Sequence, residues 1–223
     1  ENTALKAGST ITMNETTVVM QPTTEIRRRT RLSPNARSRQ LMDHAISVFA
    51  QRGIGRASHA EIAERAHVSV ATVFNYFRTR EELVDAVLSE VESYLYTLAS
   101  QAHNANQSAQ SCIEQFIERY VDAAYEHGEY NLIALEWGAS IREDVWPRFA
   151  QCCERLQAMA TRTLKRGMEL GEFRSKLDCD HLAQLLSSIN YSASQMIYQT
   201  PQPPREQVKE FMLKSCKVAM GLL

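Results

Sequence analysis

The chain has 223 residues, 44% of them hydrophobic and 23% charged, with a formal net charge of −1. That is enough apolar material for a real core and excludes an intrinsically disordered chain. No apolar run approaches the roughly 18 residues of a membrane span, and five cysteines without a C-x-x-C pair give neither a disulfide framework nor a zinc site.

The small net charge conceals an asymmetry. Glu25 to Arg80 holds 11 Lys and Arg against 4 Asp and Glu, whereas Glu81 to the end holds 13 against 20. A basic front on an acidic body is an electrostatic footprint for nucleic acid confined to one part of the chain. No h-region follows a basic start, so no secretory signal is read, and a reduced, cytoplasmic setting is expected. Only eight glycines and six prolines interrupt the sequence, which favours an all-helical protein.

Residues 1–24 are polar, with no sustained helical period. ALKAGST resembles a recombination-cloning linker and Met13 is a candidate start, so the segment is expected to be a disordered arm outside the fold. Arg27, Arg28, Arg29 and Arg31 follow, just ahead of Ser33-Pro34, a helix start with proline in its first turn. Such an arm can reach into a DNA minor groove; a solvated basic tail is the alternative. The first helix is predicted from Pro34 to about Gln51, with Leu41, Met42, Ala45, Ile46 and Phe49 as its apolar stripe and Gly53 as its end.

Arg52 to Leu88 then carries the strongest pattern. Ser58 with Glu61 is a capping box opening a short helix through Ile62, Ala63 and Ala66. His67 and Val68 form a turn, and Ser69 caps a second short helix that Val73, Phe74 and Phe77 would anchor. Thr79 with Glu82 caps a third, predicted to about Gln101. Two short helices across a tight turn make a helix-turn-helix, whose second helix can enter a DNA major groove. Ser69, Ala71, Thr72, Asn75 and Tyr76 on that helix are small or hydrogen-bonding, and none is acidic. Hydroxyls and amides can bond phosphates or base edges, and a methyl can meet a thymine methyl. A buried helical hairpin with a polar outer face is the alternative.

Five further helices are predicted: about Ser111 to Glu126, Tyr130 to Ser140, Asp144 to Leu170, one capped by Asp178 and ended by Pro201 to Pro204, and one from about Arg205 onward. The whole is all-α with about nine helices.

The residues HAEIAERAHVSVATVFNYFRTREELVDAVL resemble the DNA-binding domain of the TetR family. RTRLSP, RGIGR, VSVATVFNYF, EWGAS and DHLAQL resemble one branch of it, the LuxR/HapR-type quorum-sensing regulators, from about Arg27 to about Gln199. Beyond the polar segment at 1–24, the resemblance implies two domains: a helix-turn-helix domain at 25–80 and a helical regulatory and dimerisation domain at 81–223. It implies a dimeric regulator of cell-density control on palindromic operators in double-stranded DNA, activating or repressing. A ligand-responsive repressor of a local efflux or metabolic operon is the alternative.

For DNA, the resemblance together with the helix-turn-helix points to Arg29 and Arg31 in the minor groove, to Ser58, Ser69, Thr72 and Tyr76 at phosphates, to Ala71 and Asn75 at bases, and to His59 and Arg80 as further DNA contacts. A homodimer surface is implied at Leu185, Ile189, Ala193, Met196 and Phe211, which could equally be core. A small-molecule pocket is implied at Leu95, Leu98, Ala99, Leu135, Trp137, Phe149, Cys153, Gln157 and Asn190, with Gln157 and Asn190 orienting the ligand; ordinary core is again the alternative. Three departures stand out. Ala134-Leu135 replace the branch's Trp-Phe, Asn190 its cysteine, and Arg78 its proline, so ligand preference does not transfer.

An enzyme is not expected. Cys179, Asp180 and His181 are adjacent on a helix and point apart, and no phosphate loop or H-E-x-x-H is present. No cofactor or metal is implied. A protein-binding module is the third class, in which the acidic second half offers a surface to RNA polymerase.

Overall fold

The computed structural model describes residues 33–141 and 144–222. Arg29, Arg31 and all of residues 1–24 lie outside the described residues. Among the described residues the structure is nine helices without strands. They are α1 (Pro34–Arg52), α2 (His59–Ala66), α3 (Val70–Phe74), α4 (Arg80–Ala102), α5 (Ala109–Glu126), α6 (Gly128–Ala139), α7 (Trp146–Glu169), α8 (Cys179–Ile197) and α9 (Arg205–Met220).

The helix starts follow the capping residues. Ser33, Ser58, Ser69, Thr79, Ser108 and Asp178 each accept a backbone N–H of the helix they open, which satisfies donors that have no partner inside the helix. α5 begins two residues before its predicted start because Ser108 takes the cap, accepting the N–H of Ser111 at 3.1 Å.

Two hydrophobic cores form. The first gathers Leu41, Ala45 and Phe49 of α1, Ile62 of α2, Val73 of α3, and Leu83, Val87, Leu88 and Val91 of α4. It continues into Ile133 and Trp137 of α6 and Cys152 of α7, so the helix-turn-helix head shares its core with the following helices. Each of its large, fully buried side chains contributes on the order of 1.5–3 kcal/mol. The second core joins Ile113, Ile117 and Val121 of α5, Leu164 of α7, Leu182 and Ile197 of α8, and Val208 and Met212 of α9.

Polar ties fix the head against the body. Gly53, which ends α1 with φ 81°, stands where an added Cβ would lie 2.7 Å from Glu136 Oε1. The next N–H, of Ile54, donates to that same carboxylate at 2.9 Å. Arg148 of α7 reaches α4, donating to Ser89 Oγ at 2.6 Å and pairing with Glu92 at 3.3 Å. Arg155 pairs with Glu92 as well. Between α5 and α9, Lys209 Nζ pairs with Glu118 at 2.6 Å and Asp122 at 3.0 Å.

Candidate nucleic-acid interface and interior cavity

The turn between α2 and α3 is built from backbone. His67 adopts the left-handed conformation, φ 51°, and the Val68 N–H donates to Ala63 O at 3.0 Å. Ser69 then caps α3, accepting the Thr72 N–H at 3.2 Å, and the two hydroxyls stand 2.8 Å apart. Val73 and Phe77 are buried and pin this short helix to the core. Phe74, expected as a third anchor, is instead 44% exposed and stacks on the His59 ring with centroids 4.1 Å apart.

The outward face of α3 carries Ser69, Ala71 and Asn75, all exposed, with Thr72 and Tyr76 half-buried. Asn75 is the C-cap, and its side-chain amide bonds to no other described residue. The Tyr76 hydroxyl lies 3.5 Å from Pro34 O, beyond the usual O–H···O range, which leaves it open to another partner. Arg78, where the related branch has proline, is exposed beside this face.

Two residues expected among the DNA contacts, His59 and Arg80, are placed elsewhere. His59 is buried, and its Nε2 donates to Phe77 O at 2.8 Å. The Arg80 guanidinium turns back into the head, donating to Ile54 O at 2.6 Å and to Ala57 O. Arg80 thereby braces the loop after α1, and His59 satisfies the carbonyl that follows α3, since a carbonyl facing the interior needs a donor. Ser58 spends its hydroxyl on Glu61, donating to Oε2 at 3.0 Å. That bond, with Arg52 at 2.6 Å, holds the Glu61 carboxyl below its usual range.

A cavity of about 420 Å³ lies in the body. Leu95, Leu98, Ala99, Leu135, Phe149, Cys153, Gln157 and Asn190 all line it. Trp137 does not; it is fully buried behind Phe149, ring centroids 5.4 Å apart, and its Nε1 donates to Val145 O at 2.9 Å. Gln157 points its amide nitrogen at Asp180 O, 3.4 Å away. The polar end of the cavity is formed by residues the sequence did not single out: Tyr120, Asn131 and Ser194, beside Asn190. Burial pushes the Tyr120 hydroxyl up to about 12. Asn131 is the one signal that was visible, an amide within the apolar helix α6.

On α8, Leu185 is 39% exposed, and Ile189 and Met196 are half-buried at helical spacing. Phe211 of α9 is half-buried, and Val218, further along α9, is 63% exposed. Ala193, on the same stripe of α8, is fully buried within the second core.

A capped helix-turn-helix that presents hydroxyls and an amide outward, carried on a helical body with an interior cavity, defines a DNA-binding transcriptional regulator. Residues 41–87 match the family described as bacterial regulatory proteins, tetR family. The chain is 41% identical over 166 residues to the HTH-type transcriptional regulator LuxR of Vibrio harveyi, covering 74% of this chain and 81% of that protein. It is 26% identical over 151 residues to the HTH-type transcriptional repressor KstR2 of Mycobacterium tuberculosis, covering 66% and 74%. In fold it is similar to a TetR-like transcriptional regulator from Rhodococcus sp. RHA1, with TM-score 0.70, 15% identity, and 83% and 96% of the two chains covered. The chain belongs to the TetR family of bacterial transcriptional regulators and is not an enzyme.

Proposed function

We propose that the protein acts as a homodimer on palindromic operators, in the control of gene expression by cell density, with a small molecule in the interior cavity as a second input. The observation that carries the DNA reading is the outward face of α3, where the exposed Asn75 amide, bound to no other described residue, offers a donor and an acceptor. An amide can meet an adenine edge with both, and each such pair is worth about 1–3 kcal/mol of discrimination. Ala71 supplies a methyl beside it, and Ser69, Thr72 and Tyr76 supply hydroxyls for phosphates. Arg29 and Arg31 are assigned to the minor groove by their place in the sequence. The dimer reading rests on Leu185, Ile189, Met196 and Phe211, apolar and only partly covered in the single chain; a small head contacts little DNA alone, and two heads read two half-sites. The cell-density role rests on the similarity to Vibrio harveyi LuxR.

Binding-site selection with the purified protein, repeated with Asn75→Ala, tests this. One palindrome should be recovered, and the substitution should blur it at particular base pairs in each half-site. Recovery of unselected sequence by both proteins would overturn the reading.

A further inference from the structure

The polar end of the cavity is unfinished. Tyr120, Asn131 and Ser194 are each at least 95% buried. The Tyr120 hydroxyl donates to Asn131 Oδ1 at 2.7 Å and touches the Ser194 hydroxyl, and Ser194 donates to the Asn190 backbone carbonyl at 2.8 Å. At this end Asn131 Nδ2 and Asn190 Oδ1, a donor and an acceptor, make no hydrogen bond of good geometry. The Tyr198 hydroxyl near Asn131 and the Tyr120 hydroxyl near Asn190 feel the two amides: burial raises the pKa of each hydroxyl, and the amide contact lowers it. Because Asn131 Oδ1 accepts from the Tyr120 hydroxyl, the amide is oriented with Nδ2 as its remaining donor. Buried amide atoms are costly to leave unpaired, and both residues stand in the wall of one cavity.

The rest of the lining is apolar or neutral. Leu95, Leu98, Phe116, Phe149 and Leu156 supply most of the apolar wall, and no Asp, Glu, Lys or Arg lines the space. His103, the one imidazole there, has its pKa lowered by burial and by Arg162 and Arg166, which favours the uncharged ring. Burial raises Cys152 to about 11 and keeps it a thiol. An ion carried to the buried end at Tyr120, Asn131 and Ser194 would lose its hydration and meet no countercharge there.

We propose that this cavity takes a neutral amphiphile, with an apolar body against the leucine and phenylalanine wall and one head group that both donates and accepts hydrogen bonds, as a carboxamide does. The head meets Asn190 Oδ1 and Asn131 Nδ2. Carboxylate and ammonium amphiphiles of the same length are excluded. This deepens the reading of the cavity as a small-molecule input, but the ligand chemistry stands on the cavity wall and not on DNA binding.

Isothermal titration of the full-length protein with octanamide, methyl octanoate, octanoate and octylammonium separates the head groups on one chain. Octanamide should bind, methyl octanoate about ten-fold more weakly because it lacks a donor, and both ions about a hundred-fold more weakly or not at all. Asn190→Leu, close in shape and unable to accept, should bring octanamide down to the level of the ester while leaving ester binding and the helical circular dichroism unchanged. Asn131→Leu should weaken octanamide and methyl octanoate alike, because both carbonyls accept from Nδ2; if it unfolds through loss of the Tyr120 contact, Asn190→Leu carries the test. Either ion binding as tightly as the amide, equal affinity for amide and ester, a preference that survives Asn190→Leu, or no binding by any of the four would overturn the proposal. Binding of a selected palindrome is measured in parallel. Head-group discrimination without DNA binding would fell the operator reading alone, and DNA binding without discrimination would fell the ligand proposal alone.

Discussion

At the scale of single residues, the head is held by atoms that local sequence does not announce. Arg80, basic and just past the recognition helix, stands among the expected DNA contacts. In the structure it ties carbonyls 23 and 26 residues away, and separations of that kind carry no periodicity. Arg80→Ala should cost about 2–3 kcal/mol of stability through lost charge-assisted bonds, read by urea denaturation. Arg80→Lys should recover little, because one ammonium cannot reproduce the two-pronged fork. Gly53 is constrained twice, by its positive φ and by Glu136 where a Cβ would stand. Gly53→Ala should therefore cost about 1–3 kcal/mol in the same measurement, although the position is exposed enough to look permissive. His59 taught the same lesson as Arg80: an imidazole at a helix start looks like a DNA contact until the Phe77 carbonyl is seen to claim it.

At the scale of the element, sequence and structure agree most closely, since helix boundaries depend on residues only a few positions apart. Ser33, Ser58, Ser69, Thr79, Asp178, Gly53 and the Pro201 to Pro204 run were all readable for that reason. The polar end of the cavity was not: Tyr120 and Ser194 are 74 residues apart and come together only when α5, α6 and α8 pack. Ser69→Ala should weaken α3, a helix of five residues, by about 1 kcal/mol. The loss should fall more heavily on DNA affinity than on the thermal transition, because α3 contributes little to the core beyond Val73 and Phe77.

The start of α8 gives a prediction in pH. The Asp178 carboxylate accepts the N–H groups of Asp180 and His181 and pairs with His181 Nδ1 at 2.6 Å. Its pKa is lowered by the backbone and side chain of His181, and that of His181 is raised by Asp178. The stabilisation from Asp178 is present above the ordinary carboxylate range and is lost as pH falls through its lowered pKa. That from His181 is present below the ordinary imidazole value and is lost as pH rises through its raised pKa. The pair is intact between those limits. Nuclear magnetic resonance should show His181 titrating above the ordinary imidazole value of about 6.5, and Asp178→Asn should bring it back down.

At the scale of the whole molecule, the basic front and acidic body make association with DNA a salt-dependent event. Affinity should fall linearly on a log–log plot against salt, with a slope set by the phosphates neutralised. Octanamide at the cavity, a neutral ligand, should show no comparable slope. The apolar strip on α8 and α9 belongs to the same scale. Leu185→Lys together with Val218→Lys should shift sedimentation toward a single chain without loss of helical signal, and operator affinity should fall with it.

The two tryptophans give the molecule an unevenly placed optical label. Trp137 and Trp146 both lie within 5.6 Å of the Phe149 ring, centroid to centroid, and the chain has no others. Their emission therefore reports on the corner where α6 meets α7, at one wall of the cavity, while the packing of α8 on α9 is silent. Far-ultraviolet dichroism, by contrast, sums over every helix. If the two cores melt as one body, the two signals will trace one curve in urea. If they come apart separately, the curves will part, and the order in which they do so will say which core yields first.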